Sequence, residues 1–513
     1  MGCCSKPCCT ITTGVFGVIF VIVAVVLGWV VFPMEVERQI KLNVILKNGT
    51  EQFDRWMKTP IPLNFKVYLF HILNPDEAHN GAQIEVEQKG PYIYKQQREK
   101  IPESVTYNET SNEYTYLERQ LYEFDAEASA PLKETDEITM LNTPLNALLQ
   151  IVEDTPALTN LAGSIRRAFN SIFPNQTTVF VKTTVHEQLF GGYRMCGKRK
   201  GVDAKLVCPM INSFAPKEVV KQKDGSYLFT FFQHKQNKND GYFTVKSGES
   251  DVHLTGQFTA FNFSHYTDYW NGENSCSEVY GTDAVIFPPL IKKDDIFSIY
   301  HPDICRRVDI EYAGEDITYK GIKGSRYSLT DESFAPPCNE TGTACYCLNK
   351  TSDMFGEKSC TKYGALELYS CHGAPIILTL PHLYKADPFY TKNTVKNLNP
   401  DPEKHITFVD LETDTGTPLR GTKRVQFNMF VRPISLFEKQ TKNLKPAIVP
   451  MLWIDEGVEL NDELINKLKE DYLNVVKLLD YVKWGLIGFG AVLTVVGGLS
   501  FCIVKRRQSS QTV

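Results

Sequence analysis

The sequence lacks a complete set of catalytic residues of any familiar type. It has no G-x-S-x-G segment, the turn that carries the nucleophile of α/β-hydrolases. The first half of a zinc-protease helix occurs at His186, but Phe190 stands where the second histidine ligand belongs. A phosphate-loop spacing begins at Gly192, but it has Arg199 in place of the serine or threonine that holds magnesium. These absences predict a protein that is not an enzyme and that uses no cofactor.

A strong net charge of either sign is also missing. The chain has 55 Lys and Arg against 60 Asp and Glu, which leaves a net charge of -5 over 513 residues. This near balance argues against a nucleic-acid partner. No internal repeat, low-complexity tract or linker divides the sequence, while 42% hydrophobic and 12% aromatic residues supply material for a large core. The central part of the chain therefore reads as one β-rich unit with helical additions.

Two stretches contain no charged residue, and both are long enough to cross a membrane. Ile11–Phe32 and Trp484–Val504 have 22 and 21 residues, against about 20 needed for a spanning helix. The first is longer than a signal-peptide apolar region, and Lys505–Arg507 directly after the second indicates a cytoplasmic C-terminus. We predict a cytoplasmic N-terminus (1–10), transmembrane helix (11–32), extracellular domain (33–483), transmembrane helix (484–504) and cytoplasmic tail (505–513), in the plasma membrane.

Cysteines and glycosylation motifs follow this topology. Of the 14 cysteines, nine fall between Cys196 and Cys371, in the segment assigned to an oxidising compartment where disulfides persist. Spacing alone would also let Cys345, Cys347, Cys360 and Cys371 hold zinc, although the oxidising side favours disulfides. N-x-S/T motifs in the same segment indicate N-glycosylation at Asn48, Asn108, Asn175, Asn262, Asn339 and Asn349.

The remaining cysteines lie in or beside the membrane ends. They are Cys3, Cys4, Cys8, Cys9 and Cys502. Cysteines this close to an inner membrane surface are candidates for reversible acylation, and idle thiols or a small metal knuckle are the alternatives for the N-terminal four. A myristoylation signal is ruled out because Lys6 stands where that signal has Ser or Thr.

Hydrophobic periodicity predicts strands in most of the extracellular domain. The pattern predicts a helix over Glu35–Lys58, strands at Phe65–Leu73 and Tyr114–Phe124, and a turn before Gly90. Residues 143–173 form the one clearly helical region, with a first helix and a second that starts at Pro156. Hairpins are predicted around Asp224-Gly225 and Asp414–Gly416, and an amphipathic helix over Leu464–Val482 leads into the second anchor.

Several short segments, taken in order, resemble the class B scavenger receptor family, whose members are two-anchor membrane glycoproteins. They are Lys89–Tyr94, Tyr280–Pro289, Asp303–Arg306, Cys345-x-Cys347, Leu380–His382, Lys423–Asn428 and Val449–Trp453. Within that family the chain is most similar to the insect sensory neuron membrane proteins. The segments that point there are Gly28–Pro33, Pro62–Phe65, Asn74–Glu77 and Glu456–Asn461, together with Cys196 and Cys208.

The resemblance implies an α+β fold. It implies a large β-barrel-like extracellular domain, a helical cap at about 144–173 and an internal apolar tunnel. It also implies the disulfides Cys276–Cys345, Cys305–Cys371 and Cys347–Cys360. Cys196–Cys208, which would close a short basic loop, is an additional prediction, and Cys338 is then left over.

Two functions are compatible with this sequence. In the first, a receptor and transfer protein binds lipophilic small molecules at the cap and passes them through the tunnel to the membrane or a partner receptor. That partner could be an odorant-receptor complex that detects lipid-like pheromones. The alternative is a general scavenger receptor for the uptake of lipid, lipoprotein, carotenoid or apoptotic cells.

Basic residues near the cap are the candidates for ligand capture. Arg166 and Arg167 lie on the polar side of the second cap helix, and Lys182 follows shortly after it. Related family members use basic residues of the cap to receive anionic lipid head groups, which suggests the same role here. The alternative is that these charges only solvate the helix.

Overall fold

The computed structural model of the chain describes residues 6–197, 201–337 and 342–510. These residues divide into two compact units. The first consists of Met1–Ile45, Lys320–Ile322 and Leu460–Val513, and the second of Leu46–Tyr319 and Lys323–Glu459.

The α-helices lie mainly at the two ends of the chain and between residues 126 and 214. In chain order they are α1 (Lys6–Val26), α2 (Phe32–Val44), α3 (Glu51–Met57), α4 (Pro75–His79), α5 (Ala126–Ser129), α6 (Thr143–Asp154), α7 (Pro156–Thr159), α8 (Ala162–Ile172), α9 (Gly201–Phe214), α10 (Tyr369–His372), α11 (Pro388–Lys392), α12 (Pro402–His405), α13 (Glu438–Thr441), α14 (Asp462–Leu468) and α15 (Asn474–Ser509).

The strands belong to the second unit, apart from the start of one of them. In chain order they are β1 (Leu63–Ile72), β2 (Val86–Lys100), β3 (Thr106–Asn108), β4 (Glu113–Phe124), β5 (Glu137–Leu141), β6 (Phe180–Thr184), β7 (Tyr193–Met195), β8 (Val219–Lys221), β9 (Tyr227–Phe229), β10 (Tyr242–Lys246), β11 (Phe258–Phe261), β12 (Phe297–His301), β13 (Arg306–Tyr319), β14 (Ile322–Leu329), β15 (Ala365–Glu367), β16 (Ile377–Thr379), β17 (Phe408–Glu412), β18 (Thr417–Val431) and β19 (Ala447–Glu459).

In the first unit, two long apolar helices pack against each other. The candidate membrane spans are Thr10–Val44 and Asp462–Arg507, and their apolar residues are largely exposed, as expected for helices that face lipid. Glycines let the helices approach closely, because a Cβ on Gly497 would lie 2.4 Å from the backbone nitrogen of Gly14. A Cβ on Gly17 would lie 2.5 Å from the nitrogen of Thr494. The chain is a two-pass membrane protein.

In the second unit, one large antiparallel sheet dominates and closes almost into a barrel, which confirms the predicted fold class. Its strands follow the order β11-β10-β4-β2-β1-β19-β18-β17-β14-β13-β12. The long strands β18 and β19 lie near the centre of this order, and β19 pairs with both β1 and β18. Side chains that alternate to one face of these strands build the main hydrophobic core, together with α6 and α8.

Some predicted elements need correction. The helix predicted over Glu35–Lys58 is interrupted between α2 and α3, where Gly49 has φ 84° and Thr50 caps α3 by accepting a hydrogen bond from the nitrogen of Phe53. The turn predicted before Gly90 is absent, because β2 runs through this residue from Val86 to Lys100.

The cap region is helical as predicted, but the second predicted cap helix divides into α7 and α8. The prediction that residues 143–173 hold the one clear helical region is wrong, because α9 adds fourteen helical residues further along the chain. The predicted hairpins are confirmed as β8–β9 and β17–β18.

Candidate functional site

An apolar cavity of about 80 Å³ lies inside the helical cap. Its walls come from α6, α7, α8 and α9 and from β9, because each of these elements turns an apolar face inward. All but one of the lining residues are apolar: Thr143, Pro144, Ala147, Leu148, Ile151, Val152, Leu158, Leu161, Ile165, Phe173, Met195, Val207, Met210, Ile211, Ala215, Pro216, Val219 and Phe229. A cavity with so little polar surface stays dry and accepts apolar molecules.

The sequence accounts for this cavity through the periodicity of α6 and α8. In α8, Ile165, Ala168, Phe169 and Ile172 recur at helical spacing and are buried, while Arg166 and Arg167 fall on the opposite, exposed side. In α6, Leu145, Leu149 and Val152 are fully buried.

Ligand pockets usually have about 300–1,000 Å³, so a long ligand requires the walls of this cavity to move apart.

The wall formed by α9 is attached to α8 by an ion pair. Arg167 Nε lies 2.9 Å from Asp203 Oδ2, and Arg167 Nη2 lies 2.9 Å from Asp203 Oδ1. Ser164 accepts a further hydrogen bond from Arg167 at 3.1 Å. These hydrogen bonds lower the pKa of Asp203 and raise the pKa of Arg167, so both groups stay charged. The pair is the two-pronged arrangement that gives guanidinium–carboxylate contacts their geometric specificity.

A disulfide holds α9 at its middle. Cys196, which follows β7, is bonded to Cys208 of α9, with a Cα–Cα distance of 6.0 Å. Both cysteines are buried against the core that includes the cap. Together with the ion pair of Arg167, this bond fixes both the position and the rotation of α9 over the cavity. We call α9 with these two attachments the cap lid.

The three basic residues predicted for ligand capture have different surroundings. Arg167 is engaged by Asp203, and Lys182 of β6 forms an exposed ion pair with Glu137 of β5 at 2.7 Å. Arg166 is exposed, and within the described residues no hydrogen bond or ion pair is assigned to it. No contact among the described residues joins Lys182 to either arginine. Ligand capture by these three residues stays a prediction, and Arg166 is the one of them that has no ion-pair partner among the described residues.

The remaining three disulfides join cysteines that follow α9 in the chain. Cys276 is bonded to Cys345, Cys305 to Cys371 and Cys347 to Cys360, with Cα–Cα distances of 5.9, 6.1 and 5.3 Å. These are the pairs named from the resemblance. The first two of these disulfides pack with the buried Trp270, whose ring centroid is 4.9 Å from the guanidinium carbon of Arg306. Cys338 lies outside the described residues.

An ionic cluster lies among the strands of the main sheet and has no counterpart in the sequence analysis. Arg98 of β2 and Lys423 of β18 both contact the carboxylate of Glu456 on β19, and Lys423 Nζ is 3.3 Å from His301 Nε2. Burial would raise the pKa of Glu456, but these two cations lower it below its ordinary value. Burial and Lys423 also lower the pKa of His301, which stays neutral. Such a charged layer disfavours an apolar chain beside it, whereas the cap cavity favours one.

The predicted modification sites are spread over the surface. Asn48, Asn108, Asn175, Asn262 and Asn349 are all exposed, and Asn339 lies outside the described residues. Cys502 is exposed near the end of α15 and is not in a disulfide. Cys8 and Cys9 lie on α1, and Cys3 and Cys4 fall outside the described residues.

The chain is similar in sequence to several known proteins. The chain is 34% identical to Sensory neuron membrane protein 2 of Anopheles gambiae, over 98% of this chain and 95% of that protein. It is 34% identical to Sensory neuron membrane protein 2 of Drosophila melanogaster, over 93% and 94%. It is also 31% identical to Sensory neuron membrane protein 1 of Manduca sexta, over 95% and 88%.

These relatives match along nearly the whole chain, from the first membrane helix to the second. The model of the CD36 family, the class B scavenger receptors, matches residues 15–501, which include most of both apolar helices, the barrel-like sheet and the cap. The two-pass topology, the four disulfides and this full-length match lead to one assignment: the chain belongs to the CD36 family and is a membrane receptor of the scavenger receptor type.

Proposed function

We propose that this protein binds lipophilic small molecules in the cap cavity and hands them on to the membrane or to a partner receptor. The observation that carries the proposal is the dry, apolar cavity walled by α6, α8 and α9. Transfer needs no energy source, because an apolar molecule gains about 0.8 kcal/mol for each methylene that leaves water. The ligand passes through a tunnel in the extracellular domain, as the family resemblance implies. Transfer consists of binding and release, without catalysis.

The relatives support a sensory role for this binding. Their names describe membrane proteins of sensory neurons. We propose that the ligands are lipid-like odorants or pheromones and that the receiving partner is an odorant-receptor complex in the plasma membrane. Both termini lie in the cytoplasm in this proposal, with the large domain outside.

The cap lid suggests how an anionic ligand would be admitted. Arg166 is the exposed charge beside the cavity wall, and Arg167 is held by Asp203. The anionic head of a fatty acid approaches Arg166, while its tail enters between α8 and α9. A neutral ester or aldehyde relies on the apolar wall alone, so its binding does not depend on Arg166.

Covalent modification completes the proposal. N-glycans on Asn48, Asn108, Asn175, Asn262, Asn339 and Asn349 would cover parts of the extracellular surface. Acyl chains on Cys3, Cys4, Cys8, Cys9 and Cys502 would attach both ends of the chain to the inner leaflet.

The experiment is to identify the apolar molecules that co-purify with the full-length protein in lipid nanodiscs, by mass spectrometry. We expect one class of small lipophilic molecules with the wild type and a strong reduction with Ala147→Phe, which fills the cavity. Normal thermal unfolding of the variant shows that the loss is not due to misfolding. Equal amounts bound to wild type and to a folded Ala147→Phe variant would contradict the cavity as the binding site.

The scavenger alternative is favoured by one feature, an apolar stripe on the outer side of α9. Val202 is 84% exposed and Leu206 is 50% exposed, one helical turn apart. Exposed apolar side chains of this kind suit contact with a particle surface. The double variant Val202→Ser and Leu206→Ser distinguishes the two functions. Reduced lipoprotein binding with unchanged small-molecule binding would support a scavenger receptor.

A further inference from the structure

A second cavity, of about 600 Å³, is open to solvent at the surface of the second unit. It lies between the start of β2 and the segment 397–405, and its lining is mainly polar. This volume is within the range of ordinary ligand pockets, about 300–1,000 Å³. None of its lining residues belongs to the cap. We call this cavity the histidine cleft after the two imidazoles in its lining.

The two imidazoles are stacked on each other. The rings of His382 and His405 are nearly parallel, with centroids 4.5 Å apart and an angle of 10° between their planes. The indole of Trp453 stands edge-on to His405 at 5.7 Å. Gln88 Oε1 accepts two hydrogen bonds, from Trp453 Nε1 at 2.7 Å and from His382 Nε2 at 2.6 Å. The floor of the cleft is thus fixed by a network of planar groups.

Hydrogen bonds assign the protons on both rings. His382 Nδ1 accepts from the backbone nitrogen of Asn399 at 3.0 Å, so the hydrogen is on Nε2, where it is donated to Gln88. His405 Nδ1 accepts from the backbone nitrogen of Asp401 at 2.9 Å, which leaves an N–H on Nε2. Burial lowers the pKa of each imidazole to about 4, so the floor carries no charge at neutral pH.

The backbone around the cleft is held in an unfavourable conformation. His382 has φ 55° and Leu383 has φ 58°, in the left-handed region that side chains with a Cβ rarely adopt. Asn397, which also lines the cleft, has φ 70°. Strained residues of this kind persist where the surrounding structure holds them, and they cluster at binding sites.

The polar atoms that remain without partners show what the cleft can bind. The side-chain oxygen of Gln88 accepts the two hydrogen bonds described above, so its NH2 group remains available to a ligand. The Nε2–H of His405 is available as well. Asn397 Nδ2 donates a hydrogen bond to the backbone oxygen of Val86 at 3.2 Å. Asn399 Nδ2 donates one to the backbone oxygen of Asn397 at 3.3 Å. Their Oδ1 atoms, with no partner among the described residues, are available acceptors. The cleft therefore offers donors and acceptors side by side.

We propose that the histidine cleft binds a neutral, hydroxyl-rich ligand, namely a saccharide. A hydroxyl group both donates and accepts, so neighbouring hydroxyls match the adjacent amide donors, imidazole donor and amide oxygens. Leu73, which is 50% exposed, and Pro400 give the C–H face of a sugar ring an apolar surface. An apolar lipid would leave these polar groups unpaired, and an ionic ligand would find no counter-charge on the neutral floor.

The charged groups at the rim do not change this choice. Glu87, Asp401 and Lys404 border the cleft. Asp401 is occupied by hydrogen bonds from the backbone nitrogens of Glu403 and Lys404, at 2.9 and 3.2 Å. Lys404 Nζ lies 3.4 Å from the same carboxylate. Two acidic groups and one basic group thus leave a small net charge, which suits a neutral ligand.

The test is saturation-transfer NMR on the full-length protein in phosphatidylcholine nanodiscs. The probes are maltose, N,N′-diacetylchitobiose and an oligomannose glycan, with glucose 6-phosphate as the anionic comparison. We expect saturation transfer to the ring protons of at least one neutral probe. Competition by vesicles that contain glucosylceramide then distinguishes a glycolipid head group from a soluble glycan as the natural source.

Two variants locate the binding. Gln88→Glu keeps the oxygen that accepts from Trp453 and His382 but removes the NH2 donors, and His405→Asn keeps an acceptor for the nitrogen of Asp401 but removes the Nε2–H. Each should weaken binding roughly 5- to 30-fold, the effect of one or two lost hydrogen bonds. Gln233→Glu, at an exposed glutamine outside the cleft, is the matched control and should leave sugar binding unchanged. Absence of transfer to every neutral probe, transfer only to glucose 6-phosphate, or unchanged affinity in both folded variants would overturn the proposal.

Discussion

Arg167 on α8 and Asp203 on α9 form a two-pronged ion pair, with both nitrogen–oxygen distances at 2.9 Å. Neighbouring arginines that look equivalent in the sequence are therefore different in the structure. Arg167 connects two walls of the cap cavity, whereas Arg166 points to solvent and is free to meet a ligand. We therefore assign ligand capture to Arg166 and attachment of the cap lid to the adjacent Arg167.

This difference predicts separate effects for the two arginines. Arg166→Glu should weaken binding of a fatty acid by about 1–2 kcal/mol, roughly 5- to 30-fold, because it replaces attraction by repulsion near the anionic head. The effect should shrink at high salt, where the Debye length falls below about 10 Å. Equilibrium binding of a fatty acid and of a neutral ester of equal length measures it, and the ester should be nearly indifferent.

Lys205→Glu is the matched control for this experiment, because Lys205 is an exposed cation on the neighbouring helix α9. If both charge reversals weaken fatty-acid binding equally, the effect reflects general surface charge and Arg166 has no special role. Affinity of Arg166→Glu equal to that of the wild type at low salt would return Arg166 to a solvating role.

Breaking the ion pair should change rates more than affinity. Asp203→Asn removes the charge that holds Arg167, and α9 should then separate more easily from α8. We expect faster association and faster dissociation of a neutral ester, measured by stopped-flow fluorescence, with a smaller change in the equilibrium constant. Arg167→Gln should produce the same change, since it removes the other partner. Unchanged rates in both variants would show that α9 does not gate the cavity.

The disulfide of the cap lid predicts a loss of stability. The bond between Cys196 and Cys208 closes a loop with a sequence separation of 12. The chain-entropy relation gives about 3 kcal/mol for a loop near this length. The double variant Cys196→Ala and Cys208→Ala should therefore unfold at a lower temperature, with Cys502→Ser as a control that removes an exposed cysteine of α15. Equal unfolding temperatures for the double variant and the control would contradict this account.

The stacked histidines predict a pH dependence of stability. Burial lowers the pKa of His405 from 6.5 to about 4, with Asp401 opposing and Arg424 and Lys404 assisting the shift. Between these values the unfolded chain binds a proton that the folded chain does not, so the free energy of unfolding falls as the pH decreases. This contribution is complete above about pH 6.5 and is lost by about pH 4.

Thermal unfolding of His405→Asn measures that contribution, because asparagine keeps an acceptor for the nitrogen of Asp401 and does not titrate. The unfolding temperature of the variant should fall less than that of the wild type between pH 6.5 and pH 4. Parallel curves for the two proteins would mean that His405 titrates normally in the folded state.

The strands and cap helices were predictable because their periodicity is strong. Tyr114–Phe124 alternates as a half-buried strand does, and β4 spans Glu113–Phe124. The buried stripe of α8 recurs at helical spacing. In both elements one face is buried, so apolar residues recur along the sequence at the period of a strand or of a helix.

The helix α9 could not be predicted in the same way. It contains Pro209 and has apolar residues on both sides, with Val202 and Leu206 outside and Val207 inside, so no single stripe stands out. Its attachments are the disulfide to Cys196 and the ion pair to Arg167, which lie outside the helix and leave no periodic pattern within it. The histidine cleft is similar, because His382 and His405 approach through a left-handed turn that their spacing does not indicate.

The most direct test of the central claim is photo-cross-linking of a long-chain ester that carries a diazirine at the end of its tail. The account predicts adducts on peptides from residues 143–173 and 201–219 of the full-length protein, competed by unlabelled ester. Ala147→Phe, which fills the cavity, should reduce these adducts, and Ile165→Ala, which enlarges it, should preserve them. Adducts that lie mainly outside the cap, or that persist undiminished in a folded Ala147→Phe variant, would contradict binding in the cap cavity.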